Sequence, residues 1–313
     1  MNTAFANEVK TGLSTRPRHL SSKWFYDATG DGLFQAIMAM PEYYLTDAER
    51  EIYQSCGPEL LTAIGDRPFE LVELGAGDGS KTRFLIDAFI SAGARFTYRP
   101  IDISANAIEL LSDRVASEWP DLAYAPLTGD YFTALEQLGE PDENTVRLVL
   151  FPGANIGNFS PKEAETFLSR LSRFLSTGDL LLTGFDLRKD PALVLAAYND
   201  PAGHTAAFNL NLLRRINNEL GGDFDLAYWR HWETYDPLTG AARSYLVSET
   251  DQTVAIGALG ETYHFDAWEA VSVEVSQKYG EREIEELAVA AGFTHLRHFK
   301  DGGAMFSDSL WRV

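Results

Sequence analysis

The chain has 313 residues, 45% of them hydrophobic, which is enough for one large domain or two smaller ones. Its 46 acidic against 26 basic residues leave a formal charge of −20, which argues against nucleic acid and anionic membrane as partners and favours a small molecule. One cysteine, Cys56, rules out a disulfide framework; with no apolar signal core in the first ten residues and no bilayer-long apolar run, a cytoplasmic protein is expected, and separately a monomer.

In chain order, residues 1 to about 20 are polar and read as a poorly ordered arm. Lys23-Trp24-Phe25-Tyr26-Asp27 is rich in aromatics, and Gly30 and Gly32 mark a turn before a short helix over 33–38. Pro41-Glu42-Tyr43-Tyr44 is a bend, and Thr46-Asp47-Ala48-Glu49 has the form of a capping box opening the next helix. This helical lead precedes the sheet and is expected to lie over the mouth of a ligand site.

From 69 to about 188 the pattern alternates. Strands are predicted at 69–74, 97–103, 122–127, 146–151 and 179–185, and helices near 80–91, 105–117, 131–138 and 161–175. Strands separated by helices imply a parallel, doubly wound α/β sheet with right-handed crossovers. Ligands of such sheets sit beyond the carboxyl ends of the strands. Two places stand out there. Glu73-Leu74-Gly75-Ala76-Gly77-Asp78-Gly79-Ser80-Lys81 ends a buried strand on a carboxylate and turns on alternating glycines. Pro152-Gly153-Ala154-Asn155-Ile156-Gly157-Asn158 follows the strand over 146–151 and is where a reacting substrate is expected.

After about 195 the rhythm changes. Residues 191–220 read as helical, and 225–234, 242–249, 252–257 and 269–277 as short antiparallel strands. Glu281 to Ala288 is an amphipathic helix, followed by two more strands. The expected organisation is a first domain of 62–194 and 280–313 and a second of 1–61 and 195–279.

The glycine spacing differs from the dinucleotide pattern, because the third glycine comes too early. Glu73-x-Gly75-x-Gly77-x-Gly79 resembles the first motif of class I methyltransferases that use S-adenosylmethionine. Asp102 ends the second strand, where a carboxylate can accept from two ribose hydroxyls. Asp130 and Tyr131 are placed to face an adenine. The candidate cofactor residues are therefore Glu73, Gly75, Gly77, Lys81, Asp102, Asp130 and Tyr131.

Six motifs extend the likeness over about 250 residues. They are Lys23 to Asp27, Pro41 to Tyr44, Glu73 to Gly77, Gly153 to Asn158, Thr205 to Asn209, and Glu274-Val275-Ser276-x-Lys278-Tyr279. Together they resemble the histidine-specific Nα-methyltransferases of ergothioneine biosynthesis. The resemblance implies a class I methyltransferase sheet with an inserted α+β substrate-binding domain, S-adenosylmethionine as cosubstrate and an amino-acid substrate. It implies that Tyr26 and Tyr43 stand near the substrate amine and carboxylate, that Gly153 and Asn158 hold those groups, and that Tyr198 donates to the carboxylate. Tyr26 and Gly153 are the expected catalytic positions. Glu274 and Ser276 would hold the imidazole ring.

The residues bear on this independently. In Val271-Ser272-Val273-Glu274-Val275-Ser276, alternation puts the valines on one strand face and Glu274 with Ser276 on the other. A carboxylate and a hydroxyl side by side can satisfy both imidazole nitrogens. Ser244 departs from the resemblance, which implies methionine there, and leaves room for tryptophan or a related amine. A module that only holds the cosubstrate is the remaining alternative. His204, His231, His264, His295 and His298 have no H-E-x-x-H spacing and read as surface or packing residues, so no metal is expected.

Overall fold

The apolar run after Pro68 forms a strand that is buried along its whole length, and a sheet grows on either side of it. A computed structural model of the chain describes residues 3–139, 141–142 and 144–313. In chain order, helices α1 (Thr3–Ser14), α2 (Ala28–Met38), α3 (Leu45–Ser55) and α4 (Gly57–Ile64) lead into strand β1 (Phe69–Leu74). Then come α5 (Arg83–Ser91), β2 (Phe96–Asp102), α6 (Ala105–Glu118), β3 (Ala123–Tyr124), β4 (Leu127–Thr128) and α7 (Tyr131–Leu138). They are followed by β5 (Val146–Phe151), α8 (Pro161–Ser172), β6 (Leu180–Asp186), α9 (Pro191–Tyr198) and α10 (His204–Leu220). The strands β7 (Trp229–Asp236), β8 (Ala241–Ser248), β9 (Gln252–Ile256), β10 (Glu261–Phe265) and β11 (Ala270–Gln277) come next. The chain ends with α11 (Glu281–Ala290), β12 (Thr294–Lys300) and β13 (Phe306–Arg312).

Two compact units share these elements. One consists of Leu45–Arg188 and Gln277–Val313, the other of Met1–Tyr44 and Lys189–Ser276. The first cut thus falls at Tyr44/Leu45 rather than 61/62. Helices α3 and α4 pack on β13 and α5, burying Ile52, Tyr53 and Leu60 in the sheet unit. The last cut falls at Ser276/Gln277, because Lys278 and Tyr279 are tied to β6. The Lys278 ammonium lies 2.8 Å from the Asp186 carboxylate, both fully buried, and the Tyr279 N–H donates to the Asp186 carbonyl.

The sheet of the first unit runs β3-β2-β1-β5-β6-β13-β12, with β4 beside β2 where β3 leaves off. All pairings from β3 to β6 are parallel, and β13 is antiparallel to both its neighbours. This is the doubly wound α/β sheet expected from the alternation, closed by α11 and an antiparallel hairpin. Strand order reverses at β1, so the carboxyl ends of β1 and β5 flank the switch point where such sheets bind ligands. The strand expected at 122–127 is interrupted at Ala125 and Pro126, since proline offers no N–H to a ladder.

The other unit contains the sheet β11-β8-β7, the hairpin β9–β10, and four helices. The expected disordered arm is instead α1: Phe5, Val9 and Leu13 recur at helical spacing and are buried in this unit's core, while Met1 and Asn2 lie outside the described residues. Gly30 and Gly32 sit inside α2 rather than in a turn, with Asp27 as its N-cap accepting from the Gly30 N–H at 2.7 Å. The helical stretch 191–220 breaks at Asn199 to Gly203, where Asp200 caps α10 by accepting from the His204 and Thr205 N–H groups.

Candidate cofactor and substrate sites

Glycine backbone and two buried acids shape the carboxyl edge of the sheet. Gly75 has φ +78°, and a Cβ there would lie 3.0 Å from the Tyr131 hydroxyl and 3.7 Å from Asn155 Nδ2. Gly153 has φ +75°, with Asn155 Nδ2 and Lys81 Nζ each 3.6 Å from the place of a Cβ. The turn after β1 and the loop after β5 therefore meet at Asn155, which donates to the Pro152 carbonyl at 2.9 Å. Asp102, at the end of β2, joins the same turn: its Oδ2 accepts from the Gly77 N–H at 2.9 Å and its Oδ1 from the Ser104 N–H at 2.8 Å. Asp130 caps α7 and accepts from the Thr133 N–H, whose hydrogen bonding holds its carboxyl below the usual range.

Glu49 is the residue that sequence reasoning placed elsewhere. It is not a capping residue. It lies in the interior of α3, fully buried, and its Oε1 accepts from the Gly153 N–H at 2.6 Å. Its other oxygen pairs with Lys81. The same Oε1 would be 2.7 Å from a Cβ on Gly184, so β6 must be bare at that point for the carboxylate to reach the loop. Asp308 on β13 is also fully buried, and burial, then Glu49, pushes its carboxyl well above the ordinary range. Both causes favour the neutral form of Asp308, and Lys81 pairs with Glu49.

Glu73 holds the turn rather than facing outward. Its carboxylate, 2% exposed, accepts from the Tyr98 hydroxyl at 2.5 Å and from the Thr82 hydroxyl. Burial pushes its pKa up to about 7, against hydrogen bonds from Thr82 and Tyr98 that lower it.

Asn158 is exposed at the end of the short turn Asn155–Asn158, whereas Asn155, which the motif reading passed over, stands against both glycines. The signal for Asn155 was its place two residues after a glycine at a strand end. No sequence feature distinguishes Glu49 from the acids around it, because its role is set by β6 and β13.

In the other unit, Tyr43 meets Tyr198 edge-on at 6.2 Å, and the Tyr198 hydroxyl lies 2.9 Å from Ser276 Oγ. His231 fixes the base of this array. Its Nε2 is 3.0 Å from the Tyr198 carbonyl, so it carries the hydrogen, and its Nδ1 accepts from Asn209 Nδ2 at 2.8 Å. Burial lowers the His231 pKa, consistent with a neutral ring in a packing role. Tyr26 is 44% exposed and packs edge-on against Phe34 and Phe208. Ser244 donates to Glu233 Oε2 at 2.7 Å, both buried, directly across the β7–β8 register. Glu233 is a second carboxylate that the strand pattern did not single out. Glu274 is half-buried, and the expected alternation along β11 stops there: Val275 is half-buried, and Ser276 and Gln277 are both buried. Alternation carries Val271 and Val273 into the core as expected, but fails where the strand approaches the unit boundary.

A sequence profile described as a histidine-specific, SAM-dependent methyltransferase matches residues 5–313. The chain belongs to this family. It is an S-adenosylmethionine-dependent methyltransferase acting on a small molecule, and its sheet is that of the class I fold. It is 36% identical over 307 residues to the histidine N-alpha-methyltransferase of Mycobacterium tuberculosis (strain CDC 1551 / Oshkosh), covering 98% of this chain and 94% of that protein. Identity, length and coverage are the same with the histidine N-alpha-methyltransferase of Mycolicibacterium smegmatis (strain ATCC 700084 / mc(2)155). Ergothioneine biosynthesis protein 1 of Neurospora crassa is 31% identical over 290 residues, 91% of this chain but 32% of that one. Among the described residues no helix is long and apolar enough to cross a membrane.

Glu73 gives the methyltransferase a pH signature. A carboxyl with a raised folded pKa stabilises the fold most below its unfolded value, and that contribution is lost as pH rises through the folded value. Between pH 4.5 and about 7, the stability of the parent relative to Glu73→Gln is expected to fall by about 3 kcal/mol. Urea unfolding of both proteins at pH 5 and pH 8 checks this; a difference that stays constant between the two would refute it.

Proposed function

We propose that this enzyme methylates the α-amino group of L-histidine, in three successive transfers that end at the trimethylated betaine hercynine. The observation that carries this reading is the likeness along nearly the whole chain to two proteins named histidine N-alpha-methyltransferase. Within the chain, it is supported by the polar array Tyr43, Tyr198 and Ser276 and by the acids Glu274 and Glu233.

The residues at the sheet edge fit the cosubstrate. Gly75 and Gly77 leave backbone open to a ligand, since a side chain at Gly75 would strike Tyr131. Each oxygen of Asp102 accepts one backbone N–H and keeps a lone pair for a ribose hydroxyl. Tyr131 and Asp130 begin α7 at the place assigned to the adenine, and Lys81 with Glu49 fixes the Gly153 loop. Glu73 serves this site by anchoring the glycine turn. Bound there, S-adenosylmethionine supplies an electrophilic methyl group on a sulfonium.

The protein must then hold a neutral amine in line with that methyl group. A free α-amino group is mostly protonated at pH 7. By the family resemblance, the Gly153 loop and Asn158 of the sheet unit are assigned to the amine and the carboxylate, and so are Tyr26, Tyr43 and Tyr198 of the other unit; the amine's proton leaves through water. Glu274 accepts from one imidazole N–H, Ser276 serves the other nitrogen, and Ser244 contributes a polar wall. Because Ser244 gives its hydrogen to Glu233, its lone pairs are what it presents to a ligand, which suits a ring bearing N–H. Transfer from a sulfonium needs no Lewis acid, so no metal takes part in it. On the same reading the enzyme works as a cytoplasmic monomer, and its acidity keeps nucleic acid and anionic membranes from being partners.

Incubation with labelled cosubstrate and each of the twenty amino acids is expected to label histidine most rapidly, with mono-, di- and trimethyl products in succession. Faster labelling of tryptophan or another amino acid would move the assignment to that substrate. Glu274→Ala removes a charge-assisted hydrogen bond of about 1.5–3 kcal/mol, so kcat/KM for histidine should fall roughly ten- to a hundredfold. Unchanged kinetics would remove Glu274 from the ring site. Glu49→Gln should weaken cosubstrate binding at least about tenfold by calorimetry, since Lys81 and the Gly153 N–H lose a shared anionic partner.

A further inference from the structure

Strand β12 carries a cluster that the methyl-transfer chemistry does not use. His295 and His298 are three residues apart, a spacing that places side chains on opposite faces of a regular strand. Here the register slips by one residue between His295 and Arg297, so that His295 faces Trp311 while Arg297 faces Leu310. The bulge re-aims the two imidazoles to one side, and their ring centroids lie 4.2 Å apart. The sequence spacing alone gave no hint of this.

Helix α11 supplies a carboxylate to the same place. Its other acids each have a cation: Glu281 accepts from Lys300 at 2.9 Å, Glu283 from Arg188 at 2.7 Å and Glu286 from Arg282 at 2.8 Å. Glu285 instead faces His298, with Oε1 3.6 Å from Nε2. One donor atom from each of Glu285, His295 and His298 lies within 4.8 Å of the others. The Nε2 atoms of both histidines are buried and make no hydrogen bond, and the His298 side chain is 9% exposed. The opposite nitrogen of His298 is held by Ser307 Oγ at 3.2 Å, the arrangement that fixes ring orientation in metal-ligating histidines.

A simple His–carboxylate ion pair would account for one of these nitrogens and leave the other buried without a partner. A metal ion accounts for both. Zinc bonds of about 2.0–2.2 Å in tetrahedral geometry put donor atoms roughly 3.3 Å apart, close to the separation already present between Glu285 and His298. We propose that Glu285, His295 and His298 form a binding site for a divalent transition-metal ion of the zinc class, joining α11 to the bulge of β12. Two imidazoles and one carboxylate leave a fourth position to water. The site is structural, and it is independent of the substrate assignment.

The test is a titration of the metal-free, tag-free full chain with zinc chloride against a chromogenic chelator. The expected result is one tightly bound zinc per chain, with affinity lowered at least a hundredfold in His298→Ala and in His295→Ala. The exposed group Asp251, His264 and Asp266 is the control, and Asp266→Ala should leave the tight site unchanged. Should a histidine variant fail to fold by circular dichroism, Glu285→Gln serves in its place, because Glu285 is exposed and should lose at least tenfold in affinity. Absence of tight zinc binding in the parent chain overturns the proposal. So does binding within threefold of the parent in the folded His298→Ala or Glu285→Gln chain.

Discussion

The sheet edge depends on one buried carboxylate, that of Glu49. It lies in the interior of α3, fully buried, yet it reaches the loop after β5 and the lysine after β1 at once. A charge removed from water this completely is tolerated only if it is paired and hydrogen-bonded. Both conditions are met, and meeting them fixes the Gly153 backbone relative to the glycine turn. The reach of that carboxylate is also why Gly184 must lack a side chain, and burial beside Glu49 raises the carboxyl of Asp308 well above its ordinary range. Few single positions in the sheet unit constrain so many others.

A second constraint works from the opposite side of the turn. Glu73 spends both oxygens on Thr82 and Tyr98, linking the end of β1 to the start of α5 and to β2. The motif glutamate thereby acts through the backbone it holds. Lys278 plays a comparable part at the last unit boundary, where its ion pair with Asp186 secures the chain as it leaves β11. Residues of this kind set geometry, and their side chains need never touch a ligand.

Much of this was legible beforehand. The alternating strands, the glycine turn and the closing hairpin are local patterns, and local patterns survive folding. Asp102 stands at the end of β2, where the strand pattern placed it, and joins the glycine turn through the Gly77 N–H. What was not legible depends on contacts distant in sequence. Glu49 looked like a capping acid because its partners stand 32 and 104 positions away. Asn158 was favoured over Asn155, although only the three-dimensional turn decides which of them meets Gly75. The β11 alternation predicted the Val271 and Val273 burials but could not show where the strand ceases to alternate. The bulge in β12 inverted the meaning of the 295/298 spacing for the same reason. The helix α1 was an avoidable error, since Phe5, Val9 and Leu13 already stood at the period of an apolar stripe.

That first helix bears on how the protein is made. Phe5, Val9 and Leu13 are buried in a core whose other members extend to Val273. A ribosome adding roughly 5–20 residues per second needs on the order of tens of seconds to cross that interval. The apolar stripe of α1 is thus fully covered only once residues more than two hundred positions further along have been made.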